Sequence, residues 1–102
     1  LGEACVFALA HWRPNHDEPS FLNVGTGIDL SIQNLAEEVA VATGFDGEIL
    51  WDSSKPDGTP KKLLDVSRLK ALGWQSRIPL SEGIRNTVHL FRSSFEQQTI
   101  RL

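Results

Sequence analysis

The longest uninterrupted apolar stretch in this chain runs only from Ala4 to Ala10. A helix that crosses a bilayer needs about 20 consecutive apolar residues, so no membrane-spanning helix is expected. The other apolar residues recur in short periodic sets broken by glycine and proline, which is the pattern of a small globular domain. With 102 residues, 40% of them hydrophobic and 23% charged, the chain has room for one domain rather than two, and its core is only marginally large enough to fold alone. These fractions exclude disordered, collagen-like and low-complexity classes. Cys5 is the only cysteine, so no internal disulfide can form and a stapled secreted mini-domain is excluded. The three histidines and single cysteine lack the paired spacing of a structural zinc site. A net charge of -3 with a pI near 5.5 argues against a nucleic-acid partner, which requires a basic face.

The sequence contains no methionine. We therefore expect that Leu1 is not the native start and that the chain begins in mid-structure, the alternative being processing of a leader. Consistent with this, the helical pattern of residues 2–12 has no capping residue before it.

Ala4, Phe7, Ala8 and His11 fall at helical spacing, widened by Val6, Leu9 and Ala10, so residues 2–12 read as a mostly buried helix. Residues 13–20 are polar with Pro14 and Pro19, a surface loop. Phe21-Leu22-Asn23-Val24 reads as a short strand closed by Gly25-Thr26-Gly27. Ser31 is placed to cap a helix whose Ile32, Leu35, Ala36 and Val39 share a face, and Gly44 is placed to stop it. Residues 48–51 read as a second strand. Residues 52–61 form a long loop, and long ordered loops in compact domains are usually functional. Leu63-Leu64-Asp65-Val66 is a brief extended piece. Ser67 is expected to cap a short helix that ends at Gly73. A final helix starts near Pro79, carries Leu80, Ile84, Thr87, Val88, Phe91 and Phe95 on one face, and frays at Gln97 or beyond. The whole predicts an α/β unit with few short strands and flanking helices.

Two places invite a chemical reading. Val24-Gly25-Thr26-Gly27 sits between a strand and a helix, as a dinucleotide-binding turn would. The third glycine of that fingerprint is replaced by Leu30, which leaves Gly25 and Gly27 as a structural turn. Lys55-Pro56-Asp57-Gly58-Thr59-Pro60-Lys61-Lys62 is more informative, because it gathers three of the ten basic residues of an acidic chain. Its prolines restrict the backbone. A lysine suits a phosphate as a point charge, and an aspartate suits paired sugar hydroxyls. Such a loop could hold a nucleotide, or could be a solvated loop whose lysines keep the protein soluble; both readings stand at this point. Trp51 and Trp74 read as core residues. Cys5 reads as buried and inert, and His11, His16 and His89 lack partners at catalytic spacing. No catalytic set assembles within the chain.

The run Asn23-Val24-Gly25-Thr26-Gly27, the capped helix, Ser54 through Leu69 (Ser-Lys-Pro-Asp-Gly-Thr-Pro-Lys-Lys-Leu-Leu-Asp-Val-Ser-Arg-Leu) and Leu72-Gly73-Trp74 resemble the C-terminal part of GDP-L-fucose synthases. These are members of the extended short-chain dehydrogenase/reductase superfamily. The turn and the Leu-Gly-Trp segment are widely shared among nucleotide-sugar epimerases, whereas the Lys-Pro-Asp-Gly-Thr-Pro-Lys-Lys run followed by Leu-Leu-Asp-Val is specific to the fucose synthase branch. The resemblance extends from the first helix to about Phe91.

The resemblance implies a cytoplasmic enzyme that epimerises GDP-4-keto-6-deoxy-D-mannose beside its ketone and reduces the ketone with NADPH to give GDP-L-fucose. It also implies a homodimer through helices upstream of this region. Residues 1–102 would be a single C-terminal substrate-binding region whose Rossmann core is missing. Within it, residues 1–30 would pack on the missing Rossmann domain and residues 31–102 would form the substrate-binding subdomain. By resemblance, Asp57 matches a substrate-contacting position, through ribose hydroxyls, and Lys62 matches a substrate-contacting lysine near the diphosphate. Lys61 matches a commonly basic position for which no contact is carried over. The family's NADP turn, its Ser and Tyr-x-x-x-Lys set, its Cys and His acid/base pair and its substrate-binding arginine match nothing here, and Cys5 matches none of them. The chain by itself is therefore expected to hold no NADP(H) and no metal, and to be inactive. The alternatives are another NAD(P)-dependent nucleotide-sugar epimerase or dehydratase, or a free-standing α/β module that binds a nucleotide or a protein without catalysis.

Overall fold

The computed structural model describes residues 1–97. Its regular elements are α1 (Gly2–His11), α2 (Ile32–Thr43), α3 (Ser67–Ala71) and α4 (Leu80–Glu96). The chain divides into two compact units. One comprises Leu1–Asp29 and Thr59–Arg77, and the other Leu30–Gly58 and Ile78–Leu102.

In the first unit, α1 is rich in alanine, the strongest helix former, and Arg13 closes it. The Arg13 guanidinium donates to the carbonyls of Leu9 (3.1 Å) and Trp12 (2.9 Å), placing a cation where the helix dipole favours one. Glu3 ties α1 to the chain after α3, accepting a hydrogen bond from Trp74 Nε1 at 3.0 Å and lying 3.3 Å from Arg77 Nε. The ion pair is exposed and contributes little; the indole bond carries the geometry. Ala4 and Leu69 are the buried apolar residues among those described.

In the second unit, α2 follows its local signals closely. Ser31 Oγ accepts from the Asn34 amide at 3.1 Å, and Gly44 ends the helix with φ of 71°, a left-handed conformation that costs a residue with a Cβ about 1 kcal/mol or more. α4 begins after Pro79 and packs against α2. Arg92 Nη2 on α4 donates to the carbonyl of Thr43 at 2.6 Å, so α4 supplies the cation that the C-terminal end of α2 lacks. Phe91 and Phe95, one turn apart, stack with ring centroids 6.0 Å apart.

The α/β expectation is overturned: no strand is present among the described residues. Residues 21–24, 48–51 and 63–66 run without regular structure. An extended segment becomes a strand only when its amides and carbonyls enter a ladder with a neighbour. A side-chain bond joins 21–24 to 63–66 instead, from Asn23 Nδ2 to the Asp65 carbonyl at 3.3 Å. β-propensity in Phe21, Val24 and Leu63 to Val66 is therefore insufficient without pairing. Other expectations also need correction. Residues 2–11 are helical but not mostly buried, since Val6 and Leu9 are 69% and 78% exposed. Cys5 and Trp51 are exposed rather than core, whereas Trp74 is half-buried and hydrogen-bonded. Ser67 is the first residue of α3, not its cap. Gln97 ends the described helix; fraying beyond it lies outside the described residues.

Removing the α2 cap should be measurable. Ser31→Ala is expected to weaken α2 by about 1 kcal/mol, read as faster amide exchange at Asn34 and the following turn. Unchanged exchange would show that the cap contributes nothing.

Candidate functional site

The loop singled out by charge starts with a tight turn. Asp52 Oδ1 accepts from the Ser54 amide at 3.0 Å and from the Ser54 hydroxyl, and the Lys55 amide reaches the Asp52 carbonyl at 3.4 Å. The hydroxyl and amide of Ser54 hold the Asp52 carboxyl below the usual aspartate range. Residues 56–66 follow without regular structure. Asp57 lies in the second unit and Lys62 in the first, since the division falls between Gly58 and Thr59. Both side chains are exposed, as is Lys61. Among the described residues, neither lysine of the Lys61-Lys62 pair is engaged in a hydrogen bond or an ion pair. The chain thus offers two cations to solvent rather than spending them on internal pairs.

Immediately after Lys62 the backbone is pinned. The Asp65 carbonyl accepts from Asn23 Nδ2, while its carboxylate accepts from the Ser67 amide at 3.0 Å. That amide bond, with the Ser67 hydroxyl, holds the Asp65 carboxyl below the usual aspartate range. Arg68 then reaches back to the carbonyls of Phe21 (2.8 Å) and Pro19 (3.3 Å), its guanidinium 5.7 Å from the Phe21 ring centroid. Sequence reasoning missed Arg68 and Asn23. The Asp-Val-Ser spacing could have announced the Asp65 turn, but nothing local announces a bond spanning 47 residues.

The Gly25-Thr26-Gly27 turn packs against this same segment. A Cβ on Gly25 would lie 3.5 Å from Leu64 and Val66 side chains, and one on Gly27, whose φ is 75°, would lie 3.2 Å from Val66. Thr26 Oγ1 accepts from the Ile28 amide at 3.2 Å, closing the turn on itself. The Leu64 and Val66 side chains thus abut the turn, and Leu30 stands where a dinucleotide turn has its third glycine. A groove of about 790 Å³ runs along this turn and residues 63–66, bordered further by Lys70 and Trp74; Lys62 adjoins it in sequence without lining it. In the second unit a hollow of about 450 Å³ is lined by Ile32, Leu35, Val39, Phe45 and Ile49 among others. It carries no charged group and cannot orient a phosphate.

Of the remaining candidates, His11 bonds the Phe7 carbonyl through Nδ1 at 3.0 Å and stacks on the Phe7 ring, a structural use. No group of three or more His, Cys, Asp or Glu side chains that could hold a metal occurs among the described residues. No helix among them is long and apolar enough to cross a membrane.

Comparison with known proteins places these features. No family model matches the chain. It is 47% identical over 89 residues to the GDP-L-fucose synthase of Escherichia coli, covering 84% of this chain and 28% of that protein. It is 42% identical over 87 residues to the probable GDP-L-fucose synthase 1 of Oryza sativa subsp. japonica, covering 85% of this chain and 25% of that one. Among solved structures it resembles a GDP-6-OMe-4-keto-L-xylo-heptose reductase from C. jejuni, with a TM-score of 0.79 and 28% identity over 90% of this chain and 28% of the other. The fold is thus that of a segment of a GDP-sugar reductase. By sequence, the chain is similar to a segment of GDP-L-fucose synthases, and it spans little more than a quarter of the length of these relatives.

The Asp65 turn makes a pH prediction. Its carboxyl pKa is lowered in the folded chain, so its stabilising effect is present above the ordinary aspartate value and is lost as pH falls through the lowered one. Carboxyl-carbon NMR should place the Asp65 midpoint below that of an unstructured aspartate, with the Ser67 amide shifting at the same midpoint. A midpoint at or above the ordinary value would contradict the turn.

Proposed function

We propose that this chain is the GDP-sugar-holding part of an enzyme that epimerises GDP-4-keto-6-deoxy-D-mannose and reduces it with NADPH to GDP-L-fucose. The observation that carries the reading is the 47% identity to a GDP-L-fucose synthase over 84% of the chain. The exposed, unengaged lysines of the Lys55–Lys62 loop support it. In this reading Asp57 accepts hydrogen bonds from the ribose hydroxyls, and Lys62 sets its ammonium beside the diphosphate. Neither touches the reacting carbons. Holding the nucleotide handle supplies binding energy that orients the sugar for groups elsewhere in the complete enzyme.

This chain is the C-terminal portion of that enzyme. NADPH is held outside it, a reading supported by Leu30 at the position of the third glycine of a dinucleotide turn. Residues 1–30 pack on a Rossmann domain, a reading supported by the exposure of Val6, Leu9 and Phe21, and residues 31–102 form the substrate-binding subdomain. The whole enzyme works as a homodimer in the cytoplasm. A second reading, reduction of a different GDP-linked keto sugar, is favoured by the likeness to the C. jejuni heptose reductase. Both readings keep GDP as the handle.

Two measurements test this. In the complete enzyme, Lys62→Ala should raise KM for the GDP-sugar by about tenfold, since one charge-assisted hydrogen bond is worth about 1.5–3 kcal/mol, while kcat changes far less. An unchanged KM would overturn the diphosphate assignment. Titration calorimetry should show GDP binding the complete enzyme at least tenfold more tightly than UDP, each decade being about 1.4 kcal/mol. Equal affinity would remove guanosine from the account.

A further inference from the structure

Lys62 stands on a stretch of chain without a ladder or a helix, so its ammonium can meet a phosphate at low entropic cost only if something fixes the backbone beneath it. Residues 59–62 supply nothing of the kind: all are exposed, and they have no regular structure. The fixation comes just downstream. Asn23 Nδ2 holds the Asp65 carbonyl, the Asp65 carboxylate holds the Ser67 amide, and Arg68 clasps the carbonyls of Phe21 and Pro19. Leu69, next along the chain, is the largest fully buried side chain among the described residues. The Arg68 fork is suited to this task because its two terminal nitrogens each reach a different carbonyl, Nη1 that of Phe21 and Nη2 that of Pro19.

We infer that Arg68 is a positioning residue for nucleotide-diphosphate binding: by clasping Pro19 and Phe21 it fixes the exit of the Lys61-Lys62 segment and so presents Lys62. The inference rests on the reading of Lys62 as the diphosphate contact and goes beyond it by assigning what holds that lysine in place. Arg68 itself touches no ligand, since its guanidinium is already committed to the two carbonyls and the Phe21 ring.

The test is a double-variant cycle in the complete enzyme, with GDP as the probe and its Kd read by titration calorimetry. Lys62→Ala should weaken GDP binding about tenfold and Arg68→Ala about fivefold, while the double variant should bind no more weakly than Lys62→Ala alone, because the second change acts through a side chain already gone. Arg68→Lys, which keeps the cation but reaches only one carbonyl, should fall between wild type and Arg68→Ala, and serves if the alanine variant fails to fold. A purely structural role for Arg68 would lower the unfolding temperature and leave the Kd of the folded protein unchanged. That result, or losses that multiply in the double variant, overturns the inference while leaving Lys62 as the contact. An unchanged Kd in Lys62→Ala instead overturns the diphosphate reading, and the inference falls with it.

Discussion

The clasp of Arg68 on the carbonyls of Pro19 and Phe21 is the contact on which the first unit depends. It joins stretches 47 and 49 residues apart in sequence, in a unit whose described residues include just two buried apolar side chains, Ala4 and Leu69. With so little apolar area removed from water, directional bonds must define the geometry that a large core would otherwise impose. The Glu3 to Trp74 bond and the Asn23 to Asp65 bond serve the same end. Together they fix α1, the Gly25-Thr26-Gly27 turn and α3 around one segment, residues 63–66.

That segment also shapes the glycine turn. Gly27 must be glycine because its φ is positive and Val66 crowds it. The Leu64 and Val66 side chains abut the turn, and Leu30 stands where a dinucleotide turn has its third glycine. Leu64 and Val66 follow Lys62 by two and four residues and border the glycine turn, while the lysines before them meet solvent. The proposed role of holding a charged handle rests on those exposed lysines, in a chain that spans little more than a quarter of its relatives.

How far the sequence could be read depended on the range of the interactions involved. The helices were legible because their signals are local: Ser31 caps α2 through Asn34, three residues on, and Gly44 stops it; Pro79 opens α4. The strands were not, because residues 21–24 and 63–66 have strand composition, while pairing depends on partners that composition does not specify. The burial of Cys5, Trp51 and the face bearing Val6 and Leu9 was misjudged for a related reason: periodicity reveals an apolar face but not what covers it. The lysine loop was legible by charge and by resemblance, whereas its support by Asn23 and Arg68 came from contacts across more than forty residues.

The central claim is that this chain holds the nucleotide through Lys62 and Asp57. A crystal structure of the complete enzyme with GDP bound tests it most directly. The account predicts Lys62 Nζ within about 3 Å of a diphosphate oxygen and the Asp57 carboxylate at similar distance from the ribose hydroxyls. Bound GDP with both side chains left in solvent would contradict it.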